Sequence, residues 1–192
     1  QLAEFEARLA AERQLPALVH HLLRDAPADA HPMALMRTAV SALGTTDPEA
    51  SDISEEASLR KAERLLAKIP TILTAGHRYA QRQDPVDPDP ALGHAANLLY
   101  MLTGEAPADY AIRAMDVSLM LYAEHGFNAS TFAARVAAST LADLHAAVTA
   151  GIGTLMGPLH GGANEAAMEM LLEIGEAQKA RPWVLEALAA KR

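Results

Sequence analysis

Apolar side chains recur every three or four positions along most of the chain, with charged and small residues between them. This spacing places the apolar side chains on one face of a helix, and no segment has the sustained alternation typical of a strand. Prolines at first turns and glycines after last turns mark several ends. The pattern predicts helices over residues 2–14, 16–26, 32–43, 53–83 and 92–102, and a further one that Pro107 opens. The predicted fold class is all-α.

Two of these predicted helices depart from the simple amphipathic pattern. Pro70 interrupts the long helix over residues 53–83, and because proline lacks an amide donor we expect a break or kink near Ile69. The helix that Pro107 opens is apolar on nearly every side. Such a helix must be covered on most sides, so it is either a central core helix or an oligomer interface. Alanines and serines dominate residues 129–150, which also allows close helix contacts there.

The composition agrees with a helical core and narrows the range of partners. Hydrophobic residues make up 51% of the 192 residues but aromatic residues only 4%, which favours closely packed helices over a β-sandwich. The formal net charge is −8, and no basic stripe is visible. Neither a nucleic acid nor an anionic membrane surface is therefore expected as a partner.

The chain contains no cysteine, which excludes disulfides, thiolate metal sites and a cysteine nucleophile. This absence is consistent with a cytoplasmic protein. The longest uncharged run, residues 144–164, contains several glycines and a proline, so we do not interpret it as a membrane span. The chain begins in helical register without a methionine and ends without a stop signal, so we expect both ends to be cut rather than natural.

The tightest cluster of helix-breaking residues surrounds a histidine, in the segment Gly157-Pro-Leu-His160-Gly-Gly-Ala-Asn-Glu165. Its proline and glycines predict a sharp turn with space around the imidazole ring. A helix is predicted to begin near Asn164, with Gly162 or Asn164 as its cap, and its positive end favours a neutral imidazole. A neutral imidazole can donate a hydrogen bond to a developing enolate. The alternative is a glycine-rich hinge with an incidental histidine.

A second histidine lies at a predicted helix junction, in the segment His125-Gly-Phe-Asn128. Gly126 suits the C-cap of one helix, and Asn128 suits the N-cap of the next, with its side chain reaching the amide of Ser130 or Thr131. A histidine at a helix C-terminus is favoured as the cation, and the following helix N-terminus presents amide donors. The corner is therefore a candidate carboxylate site. A plain helix-turn-helix corner explains the spacing equally well.

The other histidines and motifs favour structural interpretations. His20 and His21 point to different sides of one helix, so they cannot share a metal and are interpreted as surface or packing residues. His94 lies on an apolar stretch and is interpreted as a satisfied core histidine. The sequence contains neither a Gly-x-Ser-x-Gly nucleophile elbow nor a His-Glu-x-x-His zinc helix. No metal site is predicted.

The two histidine-bearing segments resemble signature segments of the citrate synthases, the bacterial type in particular. They are Gly157-Pro-Leu-His160-Gly-Gly-Ala-Asn-Glu165 and His125-Gly-Phe-Asn128-Ala-Ser-Thr-Phe-Ala-Ala-Arg135. The segments beginning at His31 and at His94 are similar to further segments of the family in the same order. The resemblance covers essentially the whole chain.

The resemblance implies an α-helical homodimer that condenses acetyl-CoA with oxaloacetate to give citrate and CoA in the tricarboxylic acid cycle. It implies no metal and no covalently bound cofactor, with acetyl-CoA as co-substrate. His160 matches the catalytic histidine that hydrogen-bonds the thioester carbonyl and stabilises the enol form. His125 matches the histidine that holds oxaloacetate, and Asn128 lies in the same motif. Residues 1–156 would form the large helical domain, and residues 157–192 would begin the small domain, which closes over the substrates.

The chain also departs from the family pattern. Gly126 replaces an acidic residue that many members carry after this histidine. The family's Gly-Phe-Gly-His segment with a second catalytic histidine, its catalytic aspartate and most of its carboxylate-binding arginines are not in the sequence. The resemblance therefore implies an internal piece with part of an active site. Because enolising a thioester needs a base as well as a hydrogen-bond donor, we expect these 192 residues to lack synthase activity alone.

Two alternatives to this interpretation stay open. The first keeps the reaction and changes the acyl group, which gives a 2-methylcitrate synthase that uses propionyl-CoA. Acyl-pocket residues lie largely outside this chain, so its sequence does not separate the two. The second alternative is a non-catalytic helical dimerisation module derived from the family.

Overall fold

The computed structural model describes residues 1–124 and 126–190, which form ten α-helices and no strand. The predicted all-α class is therefore confirmed. The helices are α1 (Leu2–Ala11), α2 (Ala17–Arg24), α3 (Pro32–Leu43), α4 (Glu55–Ala80), α5 (His94–Thr103), α6 (Asp109–Tyr122), α7 (Ala129–Ser139), α8 (Leu144–Leu155), α9 (Gly162–Ile174) and α10 (Ala177–Ala189).

The contacts within the chain divide it into two compact units, Gln1–Thr154 and Leu155–Arg192. The assignment of residues 1–156 and 157–192 to the large and small domains of the resembled family stays a prediction. Each unit is described by itself below.

The first unit is built around α4, against which α1, α2, α3 and α5 pack. Val19, Val40 and Ile72 are almost fully buried where these helices meet. Burying a side chain of this size contributes roughly 1.5–3 kcal/mol, so shared packing rather than intrinsic propensity stabilises these helices. The other buried residues of this core are Leu15, Leu23, Ala39, Leu43, Leu65, Ala75 and Ile152.

The long helix α4 continues through its internal proline. It runs as one helix from Glu55 to Ala80, so the break that was one of the two expected outcomes near Ile69 does not occur in this fully described segment. A kink at the same place, the other expected outcome, stays a prediction. Proline in a helix interior costs about 3 kcal/mol because it loses a hydrogen bond and crowds the preceding turn. Here Pro70, Thr71 and Ile72 are all buried, and the packing of this turn offsets the cost.

Charged groups on α4 hold the loop between α3 and α4, residues 44–54. Arg64 pairs with Asp47 at 2.8 Å and with Glu49 at 2.9 Å. Lys61 is fully buried, and its Nζ donates to carbonyl oxygens of the loop, including that of Asp52. Buried cations are rare unless they are paired in this way, so the loop takes its shape from α4.

His145 connects α8 to the same loop. Its side chain is 3% exposed, and its Nε2 lies 3.5 Å from the Oδ2 of Asp47. Burial lowers the pKa of His145, although the charges of Asp47 and Asp143 act in the opposite direction. The ring also lies against Gly44, where an added Cβ would be 3.1 Å from the Cβ of His145. This histidine, which the sequence pattern did not single out, is part of the buried structure.

Helices α6 and α7 present apolar side chains to the surface. No residue of either helix is buried, although α6 packs against α5. Tyr110, Leu121 and Phe132 are 81%, 73% and 71% exposed. Within the described residues no side chain of α6 is buried. The choice between a core helix and an oligomer interface, which the sequence left open, stays a prediction.

His20 and His21 on α2 have the structural roles that the sequence predicted for them. The ring of His20 packs edge-on against Tyr79, with centroids 6.4 Å apart and the Tyr79 hydroxyl 3.3 Å from its Nδ1. His21 is exposed. The prediction that these are surface or packing residues is confirmed.

The second unit contains α9 and α10, which pack on each other. Ile174 on α9 and Ala187 on α10 are buried, while Leu172 and Leu188 are 73% and 67% exposed. Trp183, the single tryptophan of the chain, lies on α10. It is therefore a natural fluorescent reporter for this unit.

Candidate active site

The first candidate site lies at the corner between α6 and α7, residues 123–128. His125 lies outside the described residues, so its substrate role stays a prediction. The expected C-cap at Gly126 is wrong, because α6 ends at Tyr122 with Ala123 as its C-cap. Gly126 has a left-handed φ of +68°, and its amide donates to the Glu124 carboxylate. The C-cap of α6 therefore lies three residues before the expected position, and Gly126 belongs to the turn that follows the helix.

Asn128 forms the N-cap of α7, as predicted. Its Oδ1 accepts a hydrogen bond of 2.7 Å from the amide of Thr131 and one of 3.3 Å from the hydroxyl of Ser130. The side-chain carbonyl is therefore engaged in holding the corner. The Nδ2 group is the part of the side chain whose two protons suit a ligand oxygen.

A cavity of about 520 Å³ opens beside this corner. Asn128, Thr131 and Arg135 line it with Glu124, and the rings of Phe127 and Phe132 form its apolar wall. The positive end of α7 and the Arg135 guanidinium favour an anion, while the Glu124 carboxylate opposes one.

Two residues of this corner were missed as candidates by sequence reasoning. Arg135 follows Asn128 by seven positions, or about two helical turns, so the spacing could have placed both on one face of α7. Phe127 has a left-handed φ of +47°, which is uncommon for a residue with a side chain and is often found at binding sites. No local motif predicts that backbone conformation.

The second candidate site is the turn between α8 and α9 that carries His160. The His160 amide donates to the Gly157 carbonyl at 2.9 Å, and the Gly161 amide donates to the Leu155 carbonyl at 2.9 Å. The imidazole is half-buried and directly precedes Gly161, the N-cap of α9. The helix begins at Gly162, two residues before the expected start near Asn164, because Gly161 already has helical backbone angles.

Gly161 is required by a close approach of two backbone segments. Its φ of −62° and ψ of −33° are angles that any residue adopts. An added Cβ, however, would lie 2.3 Å from the Leu155 carbonyl oxygen. At Gly162 the nearest atom to such a Cβ, the Gly157 carbonyl oxygen, is 3.4 Å away. The turn that presents His160 therefore has no room for a side chain at Gly161, whereas Gly162 has room for a Cβ.

The candidate sites belong to different units. Asn128 lies in Gln1–Thr154, and His160 lies in Leu155–Arg192. Among residues 1–124 and 126–190, no group of three or more histidine, aspartate or glutamate side chains is placed to hold a metal ion. No helix in that part of the chain is long and apolar enough to cross a membrane.

Within residues 1–124 and 126–190 the protein is all-helical, with a corner capped by Asn128 and a glycine-constrained turn at His160. Comparison with protein-family models identifies its family. The model for "Citrate synthase, C-terminal domain" matches residues 1–192. This chain belongs to the citrate synthase family.

Individual relatives agree with this assignment. The chain is 47% identical over 184 residues to a citrate synthase from Deinococcus radiodurans, covering 96% of this chain and 49% of that protein. It is 46% identical over 191 residues to a 2-methylcitrate synthase from Mycobacterium tuberculosis, covering 100% of this chain and 48% of that protein.

The fold also matches a solved structure. The citrate synthase of Thermoplasma acidophilum, in a ternary complex with carboxymethyl coenzyme A and oxaloacetate, superposes with a TM-score of 0.87 at 27% identity. The match covers 98% of this chain and 49% of that one. The chain thus spans about half the length of the relatives it matches.

Proposed function

We propose that this chain takes part in a citrate synthase-type condensation of acetyl-CoA with oxaloacetate, which yields citrate and CoA. The observation that carries this proposal is the glycine-constrained turn that presents His160 at the start of α9, in a chain that belongs to the family over all its residues. Oxaloacetate and a coenzyme A derivative are named in the complex of the Thermoplasma acidophilum relative, which supports the same substrate pair here.

His160 is the proposed catalytic residue of this chain. A base removes a methyl proton of the acetyl group, and the negative charge passes to the thioester oxygen. An N–H of His160 donates to that oxygen, which stabilises the enolate and its enol form. A donor placed in this way is worth about 2.7–4 kcal/mol of barrier. The enolate carbon then bonds to the ketone carbon of oxaloacetate while the C=O π bond breaks and the former ketone oxygen takes a proton. Water hydrolyses the citryl thioester to give citrate and free CoA.

His125 and Asn128 are the proposed oxaloacetate-binding residues. The Asn128 carbonyl oxygen is already used by the α7 cap, so the Nδ2 protons are the groups proposed to donate to the substrate. Arg135 on the same cavity adds positive charge, which suits a dicarboxylate in a chain of net charge −8. No metal and no covalently bound cofactor takes part in this proposal.

We propose that the chain forms a homodimer through α6 and α7. These helices expose Tyr110, Met120, Leu121 and Phe132, and covering them would remove a large apolar area from water. The cytoplasmic location predicted from the cysteine-free sequence stays a prediction.

The 192 residues are proposed to carry only part of the active site. Neither candidate site offers an assigned base for the methyl proton, so the chain alone is expected to release no CoA thiol from acetyl-CoA and oxaloacetate. Turnover that is sensitive to His160→Ala in the chain alone would contradict this expectation.

A chimera tests the proposed function directly. Residues 1–192 replace the matching half of the Deinococcus radiodurans citrate synthase, and CoA thiol release is measured. We expect an active chimera that loses about 10²–10³-fold in kcat with His160→Ala. The exposed His21→Ala is the matched control and should retain activity. A folded chimera that is inactive, or active without His160, would refute the role proposed here.

The 2-methylcitrate synthase from Mycobacterium tuberculosis, which is 46% identical, favours a second candidate that uses propionyl-CoA. A second chimera in that host separates the two. If each chimera prefers the acyl-CoA of its host enzyme, this chain does not determine the acyl preference. If both chimeras prefer propionyl-CoA, this chain determines it. Dimerisation without any heat of oxaloacetate binding would instead favour a non-catalytic dimerisation module.

A further inference from the structure

One buried cation of the first unit lacks the partners that such a group needs. Arg13, just after α1, is 3% exposed. Its Nη1 donates to the Asp89 carbonyl at 2.8 Å, while its buried Nε has no hydrogen-bond partner among the described residues. The Asp89 carboxylate, which interacts with it electrostatically, already accepts from the Ala91 amide. Arginine is almost never fully buried unless it is paired, so Arg13 is left with unused donors.

The N-terminus of α5 lines the same cavity as Arg13 and has no side-chain cap. Gly93 is its N-cap, and no side chain caps the first amides. Ala95 and Ala96 in this first turn are 5% and 7% exposed. The first amides of a helix need an acceptor, and a buried end without one calls for a ligand or water. The positive end of the helix dipole favours an anion there.

A cavity of about 280 Å³ joins these two features. Arg13, Gly93 and His94 line it, together with Leu9, Pro90 and the exposed Glu6. Burial lowers the pKa of His94, and the charge of Arg13 lowers it further, so this ring is a neutral donor rather than a second cation. Glu6 opposes an anion, but its carboxylate is solvated at the surface, whereas the unpartnered Nε of Arg13 is buried.

We propose that the cavity between α1 and the N-terminus of α5 binds a phosphate group, held by the Arg13 guanidinium and the first amides of α5. A phosphate offers several acceptor oxygens in a tetrahedral arrangement, which matches a guanidinium and a row of helix amides better than the two oxygens of a carboxylate. The source is either free phosphate or a phosphate monoester. The proposal does not depend on synthase activity.

The test uses calorimetry on the 192-residue chain, with inorganic phosphate as the probe at constant ionic strength. Gly93→Asp is the informative variant, since nothing lies within 4 Å of an added Cβ and the backbone angles are ordinary. Aspartate is a preferred N-cap, so the variant should keep or raise Tm while its carboxylate occupies the amides. We expect one phosphate per chain in the unaltered protein and at least about tenfold weaker binding in Gly93→Asp.

Gly93→Ala is the matched control and should bind phosphate within about twofold of the unaltered chain. Phenyl phosphate distinguishes the sources: binding about tenfold tighter than phosphate identifies a monoester, and equal binding identifies the free ion. The proposal is overturned if the unaltered chain binds no phosphate, if Gly93→Asp binds it equally well, or if acetate displaces it at equal concentration.

Discussion

The turn at His160 can be tested through its two adjacent glycines. In Gly161→Ala the new Cβ meets the Leu155 carbonyl oxygen, which is 2.3 Å away, and the Leu155 Cγ and Cδ1, each 3.1 Å away. The carbonyl oxygen cannot move aside alone, because it already accepts the Gly161 amide at 2.9 Å. In Gly162→Ala the nearest atom is 3.4 Å away, which is an ordinary contact.

These distances predict opposite effects for two identical substitutions. Overpacking of this kind costs about 1–3 kcal/mol, so Gly161→Ala should raise the unfolded fraction of the second unit by about 5- to 150-fold. Gly162→Ala has no such clash and reduces the freedom of the unfolded chain, which should stabilise by about 0.4–1 kcal/mol.

Urea unfolding followed by Trp183 fluorescence measures this difference, because the only tryptophan lies on α10 in the same unit as the turn. The expected order of midpoints is Gly161→Ala, then the unaltered chain, then Gly162→Ala. Equal midpoints for the two variants would show that the backbone relaxes without cost, and the steric account of this turn would then be wrong.

Three further predictions follow from the first unit. The pKa of His145 is lower in the folded chain than its ordinary 6.5, so the unfolded chain binds more protons there and the free energy of unfolding falls as the pH falls below about 6.5. The urea midpoint should therefore depend less on pH in His145→Phe. An unchanged dependence would contradict this prediction. Asn128→Ala should cost about 1 kcal/mol through loss of the α7 cap, whereas Asn128→Asp keeps the cap but lacks the Nδ2 donors. The aspartate variant should therefore retain stability and lose activity in the chimera, and full activity would refute the proposed donor. Leu121→Asp on exposed α6 should leave Tm nearly unchanged and weaken self-association in sedimentation experiments; a variant that associates normally would exclude this face from the interface.

Local features of the candidate site were predictable because they depend on neighbouring residues. The cap by Asn128 needs only an asparagine placed three residues before an amide, and the structure has that hydrogen bond at 2.7 Å. The earlier end of α6 was missed because a glycine with positive φ suits both a helix C-cap and a turn that follows the helix, and sequence spacing does not separate the two.

The residues of the phosphate proposal could not be predicted. Arg13 and Gly93 are 80 positions apart, and an arginine after an amphipathic helix is usually a solvated residue. His94 was interpreted as a satisfied core histidine, but it is half-buried and lines a cavity. Arg13 and His94 come to line one cavity only because α1 lies beside the start of α5 in the folded chain.

The sequence by itself determined the all-α class, most of the helices and the two histidine segments, because periodicity, proline and glycine act over a few residues. The tertiary structure decided that α4 continues through Pro70, since burial of that turn offsets the proline's cost. It also decided that α6 is exposed and that Gly161 faces the Leu155 carbonyl. These outcomes depend on which segments meet in space, and chain-local patterns do not contain that information.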